Sequence, residues 1–206
     1  MKAIVQDTYG SPDVLELREI ERPAPGDDDV LVRMRAASVN PQDWHIMRAA
    51  PFIVRMSGYG LRTPKKPIRG TDVAGQVEAV GRNVTRFKPG DEVFGWCEGA
   101  FAEYVSVDES HLVPKPADVS FEVAGSIAMA GCTAIQGLRD TGAVTPGQEV
   151  LIIGAGGGVG TFAVQIAKAF GARVTGVCGT TKVGLVRSLG ADHVIDYTRE
   201  DFTGSG

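Results

Sequence analysis

The chain has 206 residues, 43% of them hydrophobic, and a formal net charge of −4. That is enough apolar material for one large domain or two small ones, and the negative balance excludes bulk attraction to nucleic acid or to an anionic membrane. Cys97, Cys132 and Cys178 stand far apart with no C-x-x-C pair, which argues against a disulfide framework or a structural zinc site and for a reducing compartment, expected to be the cytoplasm.

Residues 1–7 carry no secretory apolar region. Strand-like runs then dominate the first 120 residues, at 2–7, 14–20, 30–38, 73–80, 92–96 and 101–107. Turn signals such as Gly10-Ser-Pro12, Ala24-Pro-Gly-Asp27 and Lys88-Pro-Gly-Asp91 separate them. With no long helices between them, they predict a compact antiparallel β domain or partial barrel over 1–119. A helix is expected over 42–50, where Asn40 suits an N-cap, Pro41 the first helical position and Asp43 the first turn. Residues 113–116 read as an extended connector, and Ser120 as the N-cap of an apolar helix over 121–139. Thr145-Pro-Gly-Gln148 turns the chain into a strand from residue 149. A helix, a strand over 172–178, a helix over about 181–189 and a strand over 193–197 follow.

The most informative segment is Val150-Leu-Ile-Ile-Gly-Ala-Gly-Gly-Gly-Val-Gly160, an apolar strand running into five glycines within seven residues. Val159, Phe162, Ala163, Ile166, Ala167 and Phe170 then recur at helical spacing. A strand, a glycine turn and a helix form the context for a diphosphate seated on backbone N–H groups at a helix N-terminus. The strict G-x-G-x-x-G spacing is not met. Taking Gly160 as the third glycine gives Ala155, Gly157 and Gly160; a looser reading uses Gly154, Gly157 and Gly160. Gly157 then lets the backbone approach a phosphate and Gly160 lets helix and strand pack closely. Cofactor contacts are accordingly read onto Gly154, Ala155, Gly156, Gly157, Gly158, Val159 and Gly160; a tight turn without a ligand is the competing reading. The 18 uncharged residues from 150 to 167 match a membrane span in length, but the clustered glycines favour a soluble buried unit.

An acid that would hold the ribose of NAD is expected about 20 residues beyond the turn. The chain has Cys178, Gly179, Thr180, Thr181 and Lys182 there, and no carboxylate between Glu149 and Asp192. A 2′-phosphate meets no repulsion, and Lys182 attracts it, so NADP(H) is expected over NAD(H). A solvated first-turn lysine is the alternative, disfavoured because a cation opposes a helix N-terminus.

Seven stretches run in one order along the chain: Met1-Lys-Ala-Ile-Val5, Ala37-Ser-Val-Asn-Pro-Gln-Asp43, Arg69-Gly-Thr-Asp-Val-Ala-Gly75, Pro89-Gly-Asp-Glu-Val-Phe94, Gly99-Ala-Phe-Ala-Glu-Tyr104, the glycine turn, and Leu189-Gly-Ala-Asp-His-Val-Ile-Asp-Tyr197. In them the chain resembles the zinc-independent medium-chain dehydrogenase/reductase superfamily, in its quinone-oxidoreductase-like branch. The resemblance implies an α/β fold: a β-rich, GroES-like N-terminal domain over 1–119, followed over 120–206 by the first half of a Rossmann doubly wound parallel sheet. Members run on well past residue 206 of this chain, so truncation within the Rossmann domain is expected.

Zinc catalysis in the related zinc branch needs a cysteine and a histidine where this chain has Asn40 and Thr71, neither a good zinc ligand. Glu98-Gly-Ala-Phe101 follows Cys97 directly with no four-cysteine lobe, and His45, His111 and His193 form no ligand-spaced pair. No metal is expected. The resemblance implies that Asn40 and Asp43 edge the nicotinamide and substrate cleft, the Asn40 amide donating to a carbonyl oxygen as charge develops; helix initiation remains the other reading of both. Tyr59 is expected to line the substrate pocket or donate a proton. Thr133 is either a small packing residue or, by resemblance, a nicotinamide contact, and Met129 is expected in the core. Tyr197 resembles a family tyrosine near the adenosine phosphate, with Lys182, Gly179 and Thr180. The family often has Ser where Gly179 stands, which removes one phosphate contact. Trp44 is a stacking wall or an ordinary half-buried aromatic.

The resemblance thus implies hydride transfer from NADPH to a small electrophilic substrate, a quinone or an activated carbonyl or alkene. With no metal to polarise a carbonyl, the substrate must already be electron-poor. A non-catalytic NADPH-binding or sensing module, an inactive fragment and an NADP-dependent alcohol dehydrogenase-like enzyme are the alternatives. No nucleic-acid or membrane partner is expected, and the full-length form is expected to dimerise.

Overall fold

A computed structural model describes residues 1–203. The chain divides into two compact units, Met1–Met129 and Ala130–Gly206.

The first unit opens with an antiparallel pair, β1 (Lys2–Gln6) and β2 (Leu15–Glu19). A five-stranded sheet follows, built from β3 (Asp29–Ala36), β4 (Asp72–Val80), β5 (Glu92–Trp96), β6 (Tyr104–Asp108) and β7 (Leu112–Pro114) in the spatial order β6-β3-β4-β5-β7, every pairing antiparallel. β-branched residues recur at period two and face one core: Val30, Val32, Val73, Val77, Val93, Val105 and Val107 are buried with Phe87 and Leu112. The connector expected over 113–116 therefore begins as a strand. β7 pairs with β5 at the sheet edge, where a proline's missing N–H costs no ladder bond.

Helix α1 (Pro41–Arg48) enters as expected, with Asn40 as N-cap and proline in the first turn. The single helix expected over 121–139 is broken into α2 (Phe121–Ala124), α3 (Ala128–Ile135) and a wide turn over Gln136–Thr141. Ser126 Oγ takes the Val123 carbonyl at 2.7 Å, and a Cβ on Gly125 would stand 3.0 Å from the Ala36 oxygen. The chain thus bends where α2 presses on β3. Asp72 Oδ1 then accepts the Met129 N–H at 2.8 Å, capping the restarted helix.

The second unit carries a parallel sheet in the order β10-β9-β8, made of β8 (Glu149–Ile153), β9 (Arg173–Cys178) and β10 (His193–Asp196). Helices α4 (Gly158–Ala169) and α5 (Val183–Ser188) share one core with the sheet face bearing Ile152, Val174 and Val194. This is the Rossmann-type half expected from the sequence. Leu151 and Ile153 on the opposite face are 53% and 66% exposed. The helix expected over 181–189 starts as one 3-10 turn, Thr180–Lys182, before α5. Val159 lies off the packed face of α4, and fully buried Val164 takes its place beside Ala163 and Ala167.

Candidate functional site

The glycine turn is organised by its peptide groups. Gly154 sits at φ 78°, a region glycine enters freely. The N–H groups of Gly154 and Ala155 both donate to the Val177 carbonyl at 3.0 Å, and that of Gly157 donates to the Gly154 carbonyl at 2.9 Å. These three amides are spent inside the turn. Gly158, Val159 and Gly160 form the first turn of α4, where no intrahelical acceptor exists, and Gly157 and Gly158 are exposed. The amides free for an anion are therefore a subset of those expected. Ala155 is fully buried beneath Gly176, which makes it a packing residue. A Cβ on Gly160 would stand 2.2 Å from the Gly154 oxygen, so helix and turn meet at a distance only glycine allows.

Lys182, Gly179, Thr180 and Tyr197 gather beside this turn. A Cβ on Gly156 would meet Lys182 Cβ at 2.7 Å and Cγ at 2.9 Å, so the lysine stem lies over the glycine turn. A Cβ on Gly179 would stand 3.4 Å from the Tyr197 hydroxyl. The Thr180 hydroxyl is already engaged, 2.6 Å from Asp196 Oδ2. Asp196, part of the last family-like stretch but not read there as a site residue, stands opposite Cys178 across β10 and β9. The register thus delivers a carboxylate to the strand end where the sequence shows none. Hydrogen bonds from Thr180 first, then Thr198, hold its carboxyl below the usual range.

In the first unit Asn40, Asp43 and Tyr59 lie near residues of the Arg69–Asp72 stretch. Asp72 is fully buried at the start of β4. It accepts from Asn40 Nδ2 at 2.8 Å, from Ser38 Oγ, and from Met129 N–H. Asn40 Nδ2 also lies 3.1 Å from Ser38 Oγ and 3.2 Å from Thr71 Oγ1. A carboxylate only accepts, so Asp72 fixes which end of the Asn40 amide is the NH2. That NH2 is committed inside the protein, and the expected donation from Asn40 to a substrate carbonyl is not what this geometry offers. Asp43 Oδ2 closes the helix entry by accepting the Asn40 N–H at 2.8 Å. Burial pushes the Asp43 carboxyl up, against the pull of backbone N–H groups at Asn40 and Gly70, and the Asp72 charge pushes it further.

Asp43, Tyr59, Arg69, Thr71 and Glu98 line a cavity of about 20 Å³, room for one water-sized group. Arg69 is 7% exposed, its Nε has no partner, and its Nη2 donates to the Lys66 carbonyl. Burial draws the guanidinium below its usual range. The Tyr59 carbonyl accepts the Tyr9 hydroxyl at 2.8 Å. Trp44 is 45% exposed with Arg48 over its ring, and Thr133 lies on the exposed side of α3, in the second unit. Among the described residues no group of three or more His, Cys, Asp and Glu could hold a metal. Burial pushes the Cys97 thiol up to about 12. No described helix is long and apolar enough to cross a membrane.

The sequence reading missed Asp72, Arg69 and Asp196 as site residues. An acid heading an apolar strand was the available signal for Asp72, and the place of Asp196 next to Tyr197 in the last family-like stretch was the signal there.

Residues 26–117 match the alcohol dehydrogenase GroES-like domain family, and residues 158–205 match the zinc-binding dehydrogenase family. The chain is 37% identical over 211 residues to quinone-oxidoreductase QR1, chloroplastic, of Triphysaria versicolor, covering 96% of this chain and 61% of that protein. It superposes on the quinone oxidoreductase from Coxiella burnetii with a TM-score of 0.90 at 32% identity, covering 98% of this chain and 64% of that one. For the Escherichia coli quinone oxidoreductase complexed with NADPH the TM-score is 0.86 at 31% identity, with 98% and 60% covered. The chain spans 61% of the length of the first of these relatives.

Proposed function

Because the chain belongs to the medium-chain dehydrogenase/reductase superfamily, we propose that it serves a zinc-independent oxidoreductase that passes hydride from NADPH to a quinone or an activated carbonyl or alkene. The observation that carries this reading is the corner formed by the first-turn amides of α4, the Lys182 stem over Gly156 and the Tyr197 hydroxyl near Gly179. Backbone N–H groups and a helix N-terminus suit a diphosphate, while a flexible cation and a phenol suit one further phosphate. The resident chemistry, hydride donation, belongs to the nicotinamide when bound.

The chain's own residues bind and orient. Gly158, Val159 and Gly160 present N–H groups, and Lys182 offers charge to the adenosine phosphate. In the first unit, burial lets Asp43 hold a proton to higher pH than an exposed acid does, beside Tyr59 in the same small cavity. We assign these two residues to proton handling and substrate orientation, and Thr133 to the nicotinamide end. The electron-poor substrate class follows from the absence of zinc ligands at Asn40 and Thr71. The cytoplasmic setting and a homodimer in the full-length form belong to the same proposal, beside a relative named as chloroplastic. Mixing the protein with NADPH and a small quinone tests it. Quinone-dependent NADPH oxidation is expected; NADPH binding without turnover supports the sensing alternative, and absence of binding ends both.

A further inference from the structure

The carboxylate of Asp196 is the group on the cofactor side of the second unit that the proposed function leaves unused. It stands at the C-terminal end of β10, opposite Cys178 and hence beside the turn Gly179–Lys182. The acid that holds the ribose of NAD ends the second strand, about 20 residues past the turn, where this chain has Cys178; Asp196 ends the third strand and comes beside that place through the register, where a free carboxylate would repel a 2′-phosphate. Here it is 8% exposed, and both its oxygens already accept hydrogen bonds from the protein. Thr180 Oγ1 donates to Oδ2 at 2.6 Å, and Thr198 donates to Oδ1 through its hydroxyl at 2.7 Å and its N–H at 3.0 Å. The two hydroxyl oxygens lie 2.8 Å apart, closing a clasp between the 3-10 turn after β9 and the turn after β10.

The clasp reaches both contacts named for the extra phosphate. Thr180 opens the turn that ends in Lys182, whose N–H donates to the Gly179 carbonyl at 2.9 Å. Tyr197 lies between Asp196 and Thr198, and its N–H donates to the Cys178 carbonyl at 3.2 Å. We propose that Asp196, clasped by Thr180 and Thr198, is the positioning residue for NADPH selectivity. It holds the Lys182 turn and Tyr197 in register with the glycine turn while keeping its own charge off the phosphate. The inference rests on the cofactor reading above and deepens it: Thr180 acts through Asp196, with its hydroxyl unavailable to a ligand.

The test is a set of dissociation constants for NADPH and NADH by nucleotide fluorescence, with thermal melts alongside. Thr180→Val releases the carboxylate and is expected to weaken NADPH about tenfold while NADH changes less than about twofold. Thr180→Ser restores the hydroxyl and is expected to restore the NADPH:NADH ratio, and Asp196→Ala to lower it as Thr180→Val does. An unchanged ratio in Thr180→Val, or an equal loss for both cofactors that follows the melting temperature, overturns the proposal and leaves a merely structural clasp. A tenfold gain in NADPH affinity on Asp196→Asn overturns it as well, since the charge would then face the phosphate. Lys182→Glu separates the two levels. If it abolishes selectivity while Thr180→Val does not, the clasp fails and the cofactor reading stands; if the wild-type protein binds neither nucleotide, both fall.

Discussion

The cluster around Asp72 and the turn after β8 both concentrate polar groups, but one is built from side chains and the other from peptide groups. Asp72 collects Ser38 and Asn40 from the loop before α1 and the Met129 N–H from far along the chain. The glycine turn bonds almost entirely to its immediate neighbours and to Val177 on the adjacent strand. A site made of backbone is specified by the few residues that permit its conformation. A site made of buried side chains needs every contributor present, because each lost partner leaves another group unsatisfied.

The largest expected effect breaks the first centre. Asp72→Ala leaves two side-chain donors and one backbone N–H without their buried acceptor and is expected to cost about 3 kcal/mol or more. Asp72→Asn, which keeps an acceptor, costs less. Urea unfolding reads both, and a cost for Asp72→Ala below about 1 kcal/mol would show that the cluster is not a structural hub.

In the second centre Gly160→Val forces a side chain to within 2.2 Å of the Gly154 oxygen. Overpacking of this kind costs roughly 1–3 kcal/mol, and nucleotide binding is expected to disappear with it. Retained binding by a folded Gly160→Val protein would mean the turn is not the diphosphate seat. Lys182→Glu, by contrast, touches no buried group. It is expected to shift the preference for NADPH over NADH by roughly 1–3 kcal/mol, typical of charge-assisted hydrogen bonds; equal loss for both nucleotides would remove Lys182 as the phosphate contact.

The smallest effect sharpens the comparison through pH. Asp43 is raised by burial, so its folded form holds the proton more tightly than the unfolded chain. Its contribution is favourable below the unfolded carboxylate pKa and is lost as pH rises through the folded value. Asp196 is lowered, so its contribution is present above the unfolded value and is lost as pH falls through the folded one. Denaturation midpoints between about pH 3 and pH 7 are therefore expected to shift in opposite senses in Asp43→Asn and Asp196→Asn. Shifts of the same sign would show that one of the two environments is misassigned.

The strand alternation of Val30 and Val32, the entry of α1 at Asn40-Pro41 and the strand, glycine turn and helix after Glu149 were legible in the sequence alone. Each depends on the conformational preferences of a short window: period-two apolar residues, a proline preset for a helix start, glycines free to enter φ 78°. The sequence also marked Lys182 and Tyr197, through resemblance and through the lack of an acid nearby. Tertiary structure alone decided the rest. It split the helix expected over 121–139 where α2 presses on β3, and it turned the Asn40 NH2 inward onto Asp72. It also set Asp196 opposite Cys178, supplying the carboxylate that the local sequence lacks. Those outcomes depend on sheet register and on groups 32 and 57 positions apart meeting in space, and no local window carries that information.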